Sequence, residues 1–348
     1  MRRVLVLSLF VAVVLFIGVA SASDARQIAL GNAFYSDVND IRTNHSYVID
    51  YGSFVRFELG NYAFGTPSGQ WLHANAKVNE NFHLGAMVNR QDGFAYLTPD
   101  TRFTIAPING LDVYGAYNFG SYAASVGLYM ANNSEESSDN EKSIGVFGFT
   151  GGVYTGNIAA SFSMKMNSYK DENTDIELDG GSEIHGEFWG SFPMNSKLEI
   201  IPLVSFTTYS YSIDGVTDDG DMGYMNVSVG CGGIYTMKNG GFVSGGLSFD
   251  MVENMDESVA NTKSTISSTT FPRFNLAAEI PIYEKNETFK VLGRMGMQKS
   301  FVSNKSEYES GSVDSESTWK SSESLSDFVS IGCGVVIKNF EIDYTISE

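Results

Sequence analysis

The side chains best suited to chemistry are four histidines, His45, His73, His83 and His185, together with the carboxylates that alternate with them. On an extended strand Glu183, His185 and Glu187 point the same way, successive ones about 6.6–7 Å apart. Side chains at that spacing can converge on a cation, but they equally well form a ladder of ion pairs, and no metal site is expected. His73 and His83 lie on runs joined by a turn at Asn79-Glu80-Asn81. Pairing about Glu80 sets His73 opposite Met87 and His83 opposite Lys77, whose ammonium would repel a cation. Ser191 shares the His185 face, but two inward positions separate them, and no G-x-S-x-G or H-E-x-x-H is present. Gly151-Gly152 and Gly232-Gly233 are followed by no Lys-Ser/Thr pair, so they read as close strand packing and not as a phosphate loop. The chain is therefore expected not to be an enzyme and to carry no cofactor.

What must position these residues is a repeated strand unit. In the stretch Met222–Val252, Val243, Gly245, Leu247, Phe249 and Met251 share one face, and Phe242, Ser244, Gly246, Ser248 and Asp250 share the other. The turn before them carries Asn239-Gly240, a hairpin signal. Each run is about ten residues long, the length that a tilted transmembrane β-strand needs. Similar runs occur at 47–58, 69–78, 81–89, 111–119, 121–131, 142–154, 158–167, 181–193, 197–211, 222–237, 241–253, 269–284, 287–303, 326–337 and 339–347. Tight turns at 79–81, 120–121, 156–157, 195–196, 239–240, 285–286 and 338–339 alternate with long polar connectors at 59–68, 90–110, 132–141, 168–180, 212–221, 254–268 and 304–325. Short turns at one rim and long loops at the other are how transmembrane barrels are built.

The side-chain pattern gives such a barrel two faces. Phe82/Leu84/Ala86/Val88, Ile200/Pro202/Val204/Phe206 and Phe274/Leu276/Ala278/Ile280 are expected to meet lipid. The opposite parity carries the charges, including Arg56, His73, Lys77, His83, Asp112, Glu183, Glu279, Arg294, Glu341 and Asp343. A charge on the lipid face would cost about 2–4 kcal/mol at the midplane, so their near-confinement to one parity points to a polar interior; Lys299 breaks the rule close to a strand end, where the cost is small.

The ends and composition agree with export. Arg2-Arg3, an apolar run from Val4 to Ala20 and the small residues Ala20-Ser21-Ala22 make residues 1–22 a signal peptide by pattern. The formal net charge is −19, and loss of Arg2 and Arg3 makes the mature chain more acidic, which excludes nucleic acid as a partner. Cys231 and Cys333 sit in separate strand-like runs without metal or redox spacing, and no disulfide between them is expected. The acidic, serine-rich stretches 132–141 and 305–327 read as solvated outer loops, with weak recruitment of divalent cations as the sharper alternative.

Residues 23–44 lack strand alternation. Their pattern, Ala25-Arg26, Gly31-x-Ala33-Phe34, then Asp37 through Asn44, resembles the start of bacterial long-chain fatty-acid transporter-type barrels, a group that also includes barrels of secretion systems. In that family the segment commonly ends in Asn-Pro; here Asn44 precedes His45.

The resemblance implies an N-terminal plug over 23–45, with Arg26, Gly31, Phe34 and Asn44 as its marked residues, and a barrel over 46–348 of about fourteen strands. Twelve or sixteen are the alternatives, since fifteen runs break the even-number rule of bacterial barrels.

The expected fold is thus an all-β, antiparallel transmembrane barrel in the bacterial outer membrane. The expected function is passive uptake of hydrophobic or amphipathic small molecules. Phe54, Trp71, Tyr114, Tyr129 and Trp189 would form an inward apolar track, with Arg56, Lys77 and Arg294 to hold a carboxylate. The alternative is a structural or docking barrel for surface-protein export or adhesion.

Overall fold

The computed structural model of the chain describes residues 30, 34, 38–58, 71–90, 105–137, 140–214, 220–258, 262–286, 289–310, 313–321, 328–337 and 340–347. The signal-like segment, Arg26, Gly31 and the centres of the connectors at 59–68, 90–110 and 212–221 lie outside them.

The described residues form one sheet of 17 strands. In chain order these are Phe54–Glu58 (β1), Trp71–Lys77 (β2), Phe82–Val88 (β3), Ile108–Asn118 (β4), Ala123–Ser137 (β5), Asn140–Tyr154 (β6), Ile158–Asp171 (β7), Ile176–Gly190 (β8) and Phe192–Pro193 (β9). Leu198–Asp214 (β10), Gly220–Thr236 (β11), Phe242–Ser258 (β12), Thr262–Asn286 (β13), Phe289–Ser310 (β14), Val313–Ser321 (β15), Phe328–Ile337 (β16) and Phe340–Ser347 (β17) follow. The described strands pair antiparallel, each with the next in sequence apart from the pairings of β8 with β10 and of β14 with β16.

Two strands are interrupted. β9 continues β8 along β10, and β15 and β16 lie end to end along β14. Counted as single strands, they leave a meander of fifteen neighbours, where fourteen strands were expected. β1 starts beside Asn75, next to the turn after β2, and β17 starts beside Ile337 at the same rim. The first and last strands therefore run parallel.

The tight turns fall where the Asn and Gly residues require them. Asn79 Oδ1 accepts from the backbone N–H of Asn81 and of Phe82, both at 2.9 Å, and Gly120 and Gly240 take positive φ angles of 94° and 81°. His73 pairs with Met87 and Lys77 with His83, the register read from the turn.

Two readings need correction. Residues 132–141, 168–180, 254–268 and 304–325 are largely strand and not open loop. Their Ser and Thr residues suit extended backbone, and pairing with the neighbouring strands satisfies their N–H and C=O groups. Opposite charges also meet there: Lys142 Nζ lies 3.0 Å from Asp171, and Lys305 Nζ lies 3.4 Å from Glu316. The run 47–58 is only partly strand. Val38–Arg42 and His45–Asp50 are short 3-10 helices, and the strand starts at Phe54. Asn44 decides this by capping the second helix, its side chain accepting from the Ser46 N–H at 3.1 Å.

One face of the sheet is apolar and exposed at alternate positions: Leu84 53%, Val126 71%, Leu128 47%, Met295 56% and Ile331 66%. The other face carries the buried residues. They form one cluster around Ile41, Tyr47, Val48, Phe54, Met87 and Tyr114 near the short-turn rim. A second, around Tyr129, Ile144, Val146, Tyr169, Tyr209 and Tyr211, lies toward the far rim.

Candidate functional site

The buried face holds the N-terminal segment, and each contact has a partner on a named strand. Asn44 Nδ2 donates to the Val153 and Ala160 carbonyls of β6 and β7, both at 3.1 Å. His45 Nε2 lies 3.2 Å from Asp112 Oδ2 of β4, and its ring stacks on Tyr114, 4.4 Å between centroids and 5° from parallel. Arg90 donates to the same Asp112 oxygen and, through Nη2, to the Arg42 carbonyl at 2.8 Å. Tyr154 Oη donates to Asp50 Oδ2 at 2.7 Å. Tyr47 rests against Tyr154 and Trp189, at 4.7 and 6.3 Å. Burial, with the Asp40 carboxylate adding, holds the Tyr47 phenol well above its ordinary pKa, so it stays neutral.

Glycines of the wall make the room. A Cβ on Gly127 would strike the His45 ring, and one on Gly152 would strike the Asn44 amide. Gly230, Gly232 and Gly246 of β11 and β12 would likewise strike Phe34. Leu30 packs with Ala277 of β13. One short segment thus touches β4 to β8 on one side and β11 to β13 on the other, so the sheet curls around it.

Of the five aromatic residues expected to form an inward apolar track, Phe54, Trp71, Tyr114 and Tyr129 are buried and Trp189 is partly buried. Phe54, Tyr114 and Trp71 are 1%, 2% and 9% exposed, and Phe54 and Tyr114 meet the seated segment. His73 joins Tyr114 Oη at 2.8 Å, and His83 joins Asn75 at 3.2 Å. Arg56 stacks on Trp71, its Cζ 4.6 Å from the ring centroid.

Of the cations proposed to hold a carboxylate, Arg294 is surrounded. It reaches Glu279 and Glu341 at 2.6 Å each and also Asp343, tying β17 to β13 across β14 and β16. Lys77 is exposed at the short-turn rim.

Between the two apolar clusters runs a polar band. Lys165 Nζ lies 3.2 Å from Glu183, and His185 Nδ1 lies 2.9 Å from Thr207 Oγ1. Tyr129 carries Lys165 5.8 Å and Arg90 5.9 Å from its ring centroid, linking the band to the segment. Among the described residues no group of three ligands is placed to hold a metal. Ser191 Oγ donates to Glu199 at 2.7 Å, away from His185. A groove of about 520 Å³ beside Gly145 is lined by the outward Met130, Phe147 and Met166 and by the buried Ala131, Val146 and Asn167.

Sequence reasoning placed Phe34 and Asn44 in the segment, and both are buried in it. It missed the roles of His45, Asp112 and the socket glycines. The available signal was inward parity: Gly127 and Gly152 fall where neighbouring inward positions carry Tyr129 and Tyr154. The chain matches no protein-family model, and no significant match to a curated protein is found.

Proposed function

We propose that the chain is an outer-membrane β-barrel, closed around its own N-terminal segment, that admits hydrophobic or amphipathic small molecules passively. The observation that carries this reading is the division of the sheet into two faces. One is apolar and exposed at every second residue; the other packs against Leu30, Phe34 and residues 38–51. Exposed apolar surface on that scale is far beyond what a water-soluble monomer carries, and lipid is the environment that suits it. A closed barrel also satisfies the backbone groups that a membrane would otherwise strand. Because β1 and β17 run parallel, a seam made directly between them is a parallel pair, which is compatible with an odd strand number.

The sequence resemblance to fatty-acid transporter-type barrels supports the same reading at Phe34 and Asn44, and the signal-like N-terminus supports the compartment. In this account the far apolar cluster receives the molecule, and the seated segment governs its passage toward the short-turn rim. The test is uptake by liposomes carrying the refolded protein. Faster entry of an aromatic hydrocarbon or a fatty acid than into empty liposomes is expected, and equal entry counts against transport.

One observation favours a docking role as a second reading. β13 and β14 have 25 and 22 residues, about twice what a membrane strand needs, so they and their neighbours stand beyond the apolar zone. A sealed lumen together with a protein that co-purifies through residues 254–321 would favour docking over transport.

A further inference from the structure

Where the polar band borders the far cluster, opposite Val146 and Tyr209, stand two buried polar side chains with incomplete hydrogen bonding. Asn167 of β7 is 7% exposed, and neither its amide nitrogen nor its oxygen has a partner. Glu183 of β8 is 5% exposed; Oε1 takes Lys165, and Oε2 has no partner. Lys165 is opposite Glu183 and Asn167 is opposite Gly181, so Asn167 and Glu183 are diagonal neighbours on the inner face. Such neighbours stand about 7–8 Å apart, a span that one small polar group can bridge. Around them lie Tyr129, Val146, Tyr169, Leu178, Tyr209 and Tyr211. Buried polar atoms are nearly always hydrogen-bonded, so these three atoms beside a tyrosine-lined wall mark the place of a ligand's polar atoms.

We infer that this part of the inner wall is a binding subsite for neutral amphiphiles: an apolar chain or ring carrying a hydroxyl, phenol or amide head. The head donates its O–H or N–H to Glu183 Oε2 and accepts from Asn167 Nδ2, while its body packs among the tyrosines. A carboxylate head fits poorly. It has no proton to give Glu183, it meets a like charge, and the nearby ammonium of Lys165 is already paired. The inference rests on the proposed function only in taking the interior to be open to small molecules, and it narrows the ligand class from fatty acids to uncharged ones.

The test uses the full mature chain in nanodiscs, with titration calorimetry corrected against empty nanodiscs. The probes are 4-hexylphenol and 4-hexylbenzoate at pH 7.5, which share a body and differ in head charge. Saturable binding of the phenol, about tenfold or more tighter than the benzoate, is expected. Asn167→Leu should weaken the phenol about tenfold while thermal unfolding stays cooperative. Glu183→Gln should narrow the gap between the probes, and this second variant decides the matter if Asn167→Leu does not fold. Equal binding of the two probes, no saturable binding of either, or undiminished binding by Asn167→Leu overturns the inference. Phenol binding without faster liposome uptake would leave the subsite standing and remove the transport reading. Uptake without phenol binding would do the reverse.

Discussion

His45 and Asp112 face each other across the boundary between the N-terminal segment and the wall, 3.2 Å apart and both almost wholly buried. Among the described residues the imidazole reaches no other strand by hydrogen bond, and Arg90 holds the same carboxylate oxygen from the wall side. One carboxylate therefore joins the segment to β4. Replacing His45 with Ala removes that tie and the stack on Tyr114, at a cost of about 1–3 kcal/mol. Single-channel recordings of His45→Ala should show openings that the parent protein does not, approaching those of a chain lacking residues 23–45. Silent recordings from the variant would mean that the lumen is closed by something else.

Gly151 and Gly152 are adjacent but face opposite ways. A Cβ on Gly152 strikes Asn44, whereas one on Gly151 meets nothing within 4 Å. Gly152→Val should unseat the segment and expose it to protease from the short-turn side; Gly151→Val should leave the digestion pattern of the parent. The same digestion pattern in both variants would remove the socket.

Arg294 stands among Glu279, Glu341 and Asp343, and its guanidinium is fully buried. Its loss leaves three carboxylates close together in a place that water reaches poorly. Arg294→Met should cost about 3–5 kcal/mol, read as a lower urea midpoint in detergent with the slope unchanged. A midpoint within error of the parent would show that these contacts do not hold β17 in place.

Leu128 and Tyr129 are neighbours on β5, 47% and 4% exposed. If the outer face meets lipid, Leu128→Arg costs about 2–4 kcal/mol in a bilayer. On a water-facing surface the same change would fall within about 0.5 kcal/mol. Folding titrations in lipid vesicles separate these outcomes.

Much of this architecture was legible from period-two alternation, and the Asn-containing turns set its register, as the pairing of His73 with Met87 shows. The strand extensions were not legible, because Ser and acidic residues read as loop wherever their hydrogen-bonded partners are unknown. Asn133 and Ser134 are strand residues because Ile144 and Ser143 lie opposite them. The 3-10 helix at 45–50 hid behind Tyr47 and Ile49, which mimic the start of a strand.

The candidate site was visible only as parity. Phe54, Tyr114 and Trp189 pack in one cluster with Ile41, Tyr47 and Val48, a contact between residues far apart in sequence that alternation alone does not reveal. Asn167 gave no sign at all, since one asparagine in a strand looks like any other until its neighbours prove apolar.

The most direct test of the two-faced sheet is a nitroxide scan of β5, with single cysteines at 123 to 131 other than Gly127, in a background lacking Cys231 and Cys333, reconstituted in lipid. Collision with oxygen should peak at 124, 126, 128 and 130 and fall at the odd positions, while a water-borne nickel reagent reaches none of the four. Nickel contact at Val126 and Leu128 as strong as at the exposed turn residue Ser121 would contradict a lipid-facing surface.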